Sequence, residues 1–189
     1  MPLLRMRKAC FRLGSWSVAP VTLDVGPCEL AARTFASPRE AAVVALLAAG
    51  IAKASSGCVL IGDYDPRLQS VACKRIAGFI PHEPVALDER DFGAYIAYRA
   101  ALWNVDARLA FARAAELRAA LGDMHEAFAL PLIGALIAMP ELIVLDRPVP
   151  AYAERILRVA EGRAVFSTHT NVAAARAFRR SAVLRASQA

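Results

Sequence analysis

The most apolar stretch of the chain, FALPLIGALIAMPELIVL from Phe128 to Leu145, imitates a membrane span. Pro140 cuts it into a helix-length half and a strand-length half, and Pro131 and Glu141 interrupt it further. Each half is too short to cross a bilayer, which takes about 20 apolar residues in a row. The stretch therefore reads as protein interior: a buried helix, then a buried strand, ELIVLD, delivering the carboxylate of Asp146 at its C-terminal end. The next residue is Arg147, not a second acid.

Around this segment the pattern alternates. Apolar or alternating runs predict strands over 17–25, 28–35, 58–62, 75–81, 141–146, 164–169 and 181–186. Helical spacing predicts helices over 38–54, 92–104, 106–122, 125–139, 150–162 and 171–180. Ser37 is placed to cap the first of these, with Pro38 at its first position. Pro131 is expected to bend its helix or to sit within its first turn. Strands come first, then a helix-rich block from about Asp91 to Met139, then strand, helix, strand, helix, strand. That order predicts an α/β core interrupted by a helical insertion. Ligands in such folds bind beyond the carboxyl ends of the strands, where Ser37–Ala42, Asp146 and His169 would fall.

Composition sets bounds. With 189 residues, 57% of them hydrophobic and 21% charged, the chain can bury one core and is not a disordered polymer. The net charge of +6 is spread out apart from RMRK near the start and RAFRR near the end, so no direct contact with nucleic acid is expected. Cys10, Cys28, Cys58 and Cys73 form no CxxC pair, which fits reduced thiols in a cytosolic protein rather than a zinc site. The N-terminus carries charge without a continuous apolar run, so no signal peptide is expected.

Four colinear segments carry a resemblance. SSGCVLIGDYDP with KRIAGFIPHEP, then MPELIVLDRP, then AVFSTHT resemble the Q-loop strands, the Walker B strand and the switch-histidine strand of the ATP-binding subunit of ATP-binding cassette (ABC) transporters. The resemblance implies a P-loop NTPase-like ABC ATPase core with a helical subdomain insertion. It divides the single domain into core residues 1–84 and 140–189 and helical residues 85–139.

At the positions that carry that family's chemistry the sequence departs from its pattern. The Walker A motif, G-x-x-x-x-G-K-[ST], falls on FASPREAA. Phe35 and Glu40 replace its glycines, Ala41 its lysine and Ala42 its hydroxyl, in a slot formed by Ser37, Pro38, Arg39, Glu40, Ala41 and Ala42. The Q-loop position is His82. The signature motif falls on Gly122 followed by Asp123, Met124, His125 and Glu126. Asp146 keeps the Walker B aspartate, and Arg147 replaces the glutamate that polarises water. An always-protonated guanidinium is no general base. Ala153 takes the D-loop aspartate position and Cys28 the glycine of a Pro-Gly-Glu turn. Leu13 takes the place of the adenine-stacking aromatic, with Phe11 and Trp16 nearby. His169 matches the switch histidine.

Plainer roles are preferred for several of these residues. Asp146 is expected as a strand-end acid rather than a magnesium ligand, His169 as a structural histidine, and Arg147 as half of an ion pair with Asp146 or a nearby acid. Ser167 lacks the elbow of a serine nucleophile. The stripe Tyr95, Tyr98 and Trp103 is expected in the core or against a partner. The expected function is a degenerate, non-catalytic ABC subunit, with no catalytic residue and no cofactor. It would act as structural or regulatory partner of a homologous ATPase subunit, a membrane permease, or both. Its place would be the cytoplasm or the inner face of the membrane, with no transmembrane segment of its own. Two alternatives rank behind it. One is an active subunit that binds ATP and magnesium, with Arg39, Arg147 and His82 as substitute cations. The other is a free-standing interaction module.

Overall fold

The computed structural model describes residues 1–83 and 92–186. The expected border between core and helical segment at 84–85 lies outside them, as does Pro84 of KRIAGFIPHEP. In chain order the N-terminal part holds β1 (Leu4–Cys10), β2 (Arg12–Leu13), β3 (Trp16–Ser17) and β4 (Val21–Val25). The middle holds β5 (Leu30–Thr34), α1 (Pro38–Ala48), β6 (Ser56–Ile61), α2 (Ser70–Ile76) and β7 (Ala77–Ile80). Three helices follow: α3 (Phe92–Trp103), α4 (Ala107–Leu121) and α5 (Glu126–Leu136). The chain continues through β8 (Leu142–Asp146), a short 3-10 turn, α6 (Ala153–Val159), β9 (Ala164–His169) and α7 (Val172–Ala186).

Two sheets and the helices between and behind them form the layers. β5, β9, β8 and β7 make a parallel sheet in that order, and β4, β1 and β6 an antiparallel one. The middle strands of the parallel sheet are buried along their whole length, because LIVLD and AVFSTH offer apolar or small side chains to both faces. Their period of two splits the interior. Leu142, Val144, Ala164 and Phe166 face α1 and the antiparallel sheet, packing with Val44, Leu47, Met6 and Ile61. Ile143, Leu145 and Val165 point the other way, into a second cluster with Ile133, Leu136, Ile156 and Phe178. Helix α1 is thus held between the two sheets, and its N-terminus is aimed at the carboxyl end of the parallel one.

The N-terminal sheet carries one irregularity with a clear cause. The register of β1 shifts past Lys8 against both neighbours, and Lys8 takes a left-handed φ of 49°. Opposite it, Gly57 (φ 75°) has no room for a side chain, since a Cβ there would collide with the Lys8 carbonyl. A bulge on one strand thus requires glycine on the next.

Several elements differ from the sequence reading. Strand β1 was not expected: the alternation Leu4-Arg5-Met6-Arg7 buries its apolar members, but the arginines make it read as a basic cluster. Helix α2 was not expected either, and it claims Arg75 and Ile76 from the strand predicted over 75–81. The strand predicted over 181–186 is the end of α7, because no breaker follows Arg180 and the Ala-rich helix runs on. Helix α1 stops at Ala48, ahead of Gly50 in a left-handed turn (φ 68°), rather than at Ala54. Pro131 lies inside α5 beyond its first turn, where it withholds a donor from the Ala127 carbonyl. Among the described residues no helix is long and apolar enough to cross a membrane.

Phe166 has no exposed surface and joins β9 to α1 through the first cluster. Phe166→Ala is expected to lower unfolding stability by about 3–5 kcal/mol, measured as a reduced urea midpoint with an unchanged slope.

Candidate functional site

The carboxyl ends of β5, β7, β8 and β9 bring most of the predicted site residues to one edge of the parallel sheet. The turn from β5 into α1 is tied to β9, where the Phe35 N–H donates to the His169 carbonyl (2.8 Å). Only Phe35, Ala36 and Ser37 separate strand from helix. Ser37 caps α1 as the sequence predicts, its Oγ accepting from the Glu40 N–H (3.2 Å). Glu40 reaches back, its Oε2 accepting from the Ala36 N–H (3.1 Å). The Ser37 carbonyl accepts from the Ala41 N–H, and Pro38 has no N–H to offer. This is a close variant of the capping box, with the returning carboxylate one residue upstream of the usual donor.

The side chains around that turn are engaged as well. The Arg39 guanidinium lies over the Trp16 ring, 4.0 Å from its centroid, a cation–π contact between α1 and the short β3 strand. Ala41 has no exposed surface, and Ala42 is partly buried.

Asp146 ends β8 at 6% exposure, which demands partners for its carboxylate. Arg147 supplies them in a fork, Nε donating to Oδ1 (2.8 Å) and Nη2 to Oδ2 (2.9 Å). Thr168, opposite Asp146 in the parallel register, donates its hydroxyl to Oδ1 (3.3 Å). The pairing holds the Arg147 guanidinium more firmly protonated than usual, chiefly through its hydrogen bond to Asp146. Arg147 adopts a left-handed φ of 46° while its N–H donates to the Thr168 carbonyl (3.0 Å). His82 completes the group: its Nδ1 lies 2.8 Å from the Arg147 carbonyl, which fixes that nitrogen as the protonated one.

His169 is a step removed from this group. It is 3% exposed, its Nε2 lies 3.0 Å from the Ser167 hydroxyl, and its ring packs against Phe178. Burial, followed by the positive charge of Arg179, pushes its pKa down to about 4. It is neutral at physiological pH. Ser167 is itself wholly buried, so its hydroxyl is a partner of His169 and not an accessible nucleophile.

The segment Asp123–Glu126 spans the turn between α4 and α5 and the first residue of α5, and each residue has work there. Asp123 pairs with Arg155, Met124 is buried in the second cluster, and Glu126 lies 3.4 Å from Arg118. His125 caps α5, its Nδ1 accepting from the Ala127 N–H (3.3 Å). No hydrogen bond or ion pair among the described residues joins this turn to the Asp146 group. Of the aromatic stripe, Tyr95 packs against the second cluster while Tyr98 stays 62% exposed. No group of three or more metal-binding side chains converges among the described residues. Thr168 escaped the sequence reading; aligning ELIVLD with AVFSTH end to end would have set His169 opposite Asp146, and the observed register is displaced by one residue.

Solved structures share this architecture. An ATP-binding subunit of an ABC transporter superposes with a TM-score of 0.75 at 16% identity, covering 93% of this chain and 82% of the other. The fold is that of an ABC ATP-binding subunit. The cbiO1 protein of Clostridium perfringens, part of the ABC transporter complex cbiONQ, gives 0.72 at 12% identity over 94% of this chain and 82% of its own. The dimeric bacterial ABC transporter cassette MJ0796 gives 0.66 at 15% identity over 92% and 90%. No protein-family model matches the chain, and no curated protein matches its sequence. At these identities the likeness concerns the ABC fold alone.

The buried histidine makes stability depend on pH. In the unfolded chain His169 takes a proton near pH 6.5, and in the fold only near 4. The unfolded state therefore binds more protons between those values, and stability is lost as pH falls through that window, by up to about 3 kcal/mol. Urea titrations of wild type and His169→Gln between pH 7.5 and 4 are expected to diverge in slope, with the steeper loss in wild type.

Proposed function

We propose that this chain is a non-catalytic ABC ATP-binding subunit, serving as structural or regulatory partner of an active ATPase subunit, a membrane permease, or both. The observation that carries the reading is the forked pairing of Arg147 with Asp146. An acid that would help hold a magnesium ion through water is satisfied by its own neighbour. The position that would polarise the attacking water holds a permanent cation.

The residues at the other end of the site do not fit a polyphosphate. A phosphate-binding loop sets eight residues, G-x-x-x-x-G-K-[ST], between strand and helix, so that backbone N–H groups curl around the anion. Here α1 begins three residues into that span. The Ala36 N–H is taken by the Glu40 carboxylate, and the Glu40 N–H by Ser37. A triphosphate at this helix end would meet that carboxylate, and Ala41, in the lysine position, faces the core. The residues that the active alternative enlists as substitute cations are already engaged: Arg39 by Trp16, Arg147 by Asp146, and His82 by the Arg147 carbonyl.

The likeness to cbiO1, described as part of a transporter complex, and to MJ0796, described as dimeric, supports a partner-dependent role. On this reading residues 1–84 and 140–189 are the α/β core and 85–139 the helical subdomain. The protein works in the cytoplasm, beside the membrane when its partner is a permease. The signature slot Asp123–Glu126, engaged in contacts within its own chain, contributes nothing to a partner's nucleotide.

Calorimetry with magnesium-ATP tests this. The expected outcome is binding weaker than about 1 mM, for wild type and for Arg147→Glu alike, with no phosphate release. Micromolar binding by wild type, weakened by Arg39→Ala, would instead support the active subunit. Co-purification of the tagged chain with a permease and a second ATPase separates the partner role from that of a free-standing module.

A further inference from the structure

The turn that leads from β6 into α2 displays apolar side chains that the fold does not cover. Leu68 is 83% exposed and Val71 64%, and Ile51, in the turn after α1, is exposed as well. The scaffold beneath them is fixed. Pro66 and Cys73 are buried, and a Cβ added to Gly50 would lie only 3.5 and 3.2 Å from their side chains. The Asp65 carbonyl accepts from the N–H groups of Leu68 (3.0 Å) and Gln69 (2.8 Å). Its carboxylate accepts from the Arg67 N–H (2.8 Å) and from the Arg67 guanidinium (2.6 Å). Leu68 is thus held out on a well-bonded turn.

The segments that present these side chains are cationic. Residues 49–54 and 66–76 contain no acid and carry Lys53, Arg67, Lys74 and Arg75. Asp65 neutralises Arg67, while Lys53, Lys74 and Arg75 are exposed. The two segments adjoin, since Gly50 packs on Pro66 and Cys73, and Ile51 and Lys74 line the same cleft. Leu68, Val71 and Arg75 follow the i, i+3, i+7 spacing of one helix face. The backbone bonds from Gln69 to Asp65 and from Cys73 to Gln69 already keep the helical pattern there. Basic residues in the last turn of α2 also suit its C-terminal carbonyls, but that role asks nothing of Leu68, Val71 or Lys53.

We propose that this face docks on an anionic lipid surface. Leu68 and Val71 enter the boundary between headgroups and acyl chains, and Lys53, Lys74 and Arg75 lie among the headgroup phosphates. Charge complementarity selects an anionic occupant. The projecting side chains select a fluid layer, which closes around them, over a protein, which would need a pocket for each. A contact of this size is weak and reversible, since even a single acyl anchor binds only marginally. It needs no permease, and it stands whether or not the chain hydrolyses ATP.

Flotation of the full chain with vesicles tests this. With about 30% phosphatidylglycerol in phosphatidylcholine, the chain is expected to be half-bound at about 1 mM lipid at low ionic strength. With phosphatidylcholine alone, binding is expected to be at least about tenfold weaker. Leu68→Ser with Val71→Ser is expected to weaken binding to the anionic vesicles at least about tenfold with an unchanged urea midpoint, because both positions are exposed. Lys53→Gln with Arg75→Gln is expected to weaken it about twentyfold, roughly fivefold per charge. Arg176→Gln with Arg180→Gln removes the same charge from α7, which packs on β5, while α2 runs into β7 at the other edge of the parallel sheet. Beyond a screening length, that pair is expected to change binding less than about twofold. The proposal is overturned if wild type does not float with anionic vesicles up to about 10 mM lipid, or if the serine pair floats as well as wild type. It is equally overturned if the α7 pair weakens binding as much as the Lys53 and Arg75 pair, or if flotation requires a membrane protein in the vesicles, which would make the patch a protein interface.

Discussion

Both faces of the β8–β9 pair must be kept from water, and most of the molecule is arranged to do that. A strand with an apolar side chain at every position cannot sit at a surface. One face is closed by α1 and, beyond it, the antiparallel sheet; the other is closed by α5, α6 and α7. Because consecutive residues point to opposite sides, Ile143 and Val144 belong to different clusters although they are neighbours in sequence. The same coverage sets the ends of the strands. Asp146 emerges where the cover stops, and the N-terminus of α1 is held against the end of β9 by the Phe35–His169 backbone bond.

A polar edge built this way has to satisfy its own groups. Buried donors, acceptors and charges without partners cost free energy whether or not the protein does chemistry. Three separate contacts meet that requirement here. Glu40 occupies the amide of the turn, Arg39 covers the Trp16 ring, and Arg147 neutralises Asp146. Glu40 and Arg147 act locally with side chains that depart from the ABC pattern, Arg39 reaches across to β3, and together they leave the edge ordered without a ligand. His169 fits the same picture, since burial keeps it neutral beside Ser167.

The elements with the strongest periodicity were the most legible in the sequence. LIVL and AVF are unbroken apolar runs, each opening two residues after a proline or glycine, Pro140 or Gly162, and the Ser37-Pro38 start of α1 is written in two residues. Strand β1 was obscured because Arg5, Arg7 and Lys8 alternate with or follow its apolar members, so charge masked alternation; α2 was obscured because its seven residues are too few to establish a period. The end of α7 was misread because six alternating residues fit a strand as well as a helix, and only continuity with the preceding turns decides. At the candidate site the identity of each departing residue was visible, and the Arg147–Asp146 pair was one of two pairings adjacency allowed. The Arg39–Trp16 contact was not visible, since the fold alone brings together residues so far apart in sequence.

The sealed position of Ala41 has a consequence for how such a chain could change. A lysine introduced there would have to force an ammonium into the packed interior or unwind the first turn of α1 to escape it, and either event disturbs the layer that covers Phe166. A single change toward an anion-gripping turn therefore harms the fold before it helps any ligand. The route in that direction is steeply uphill; the loop and the helix start would have to be rebuilt together.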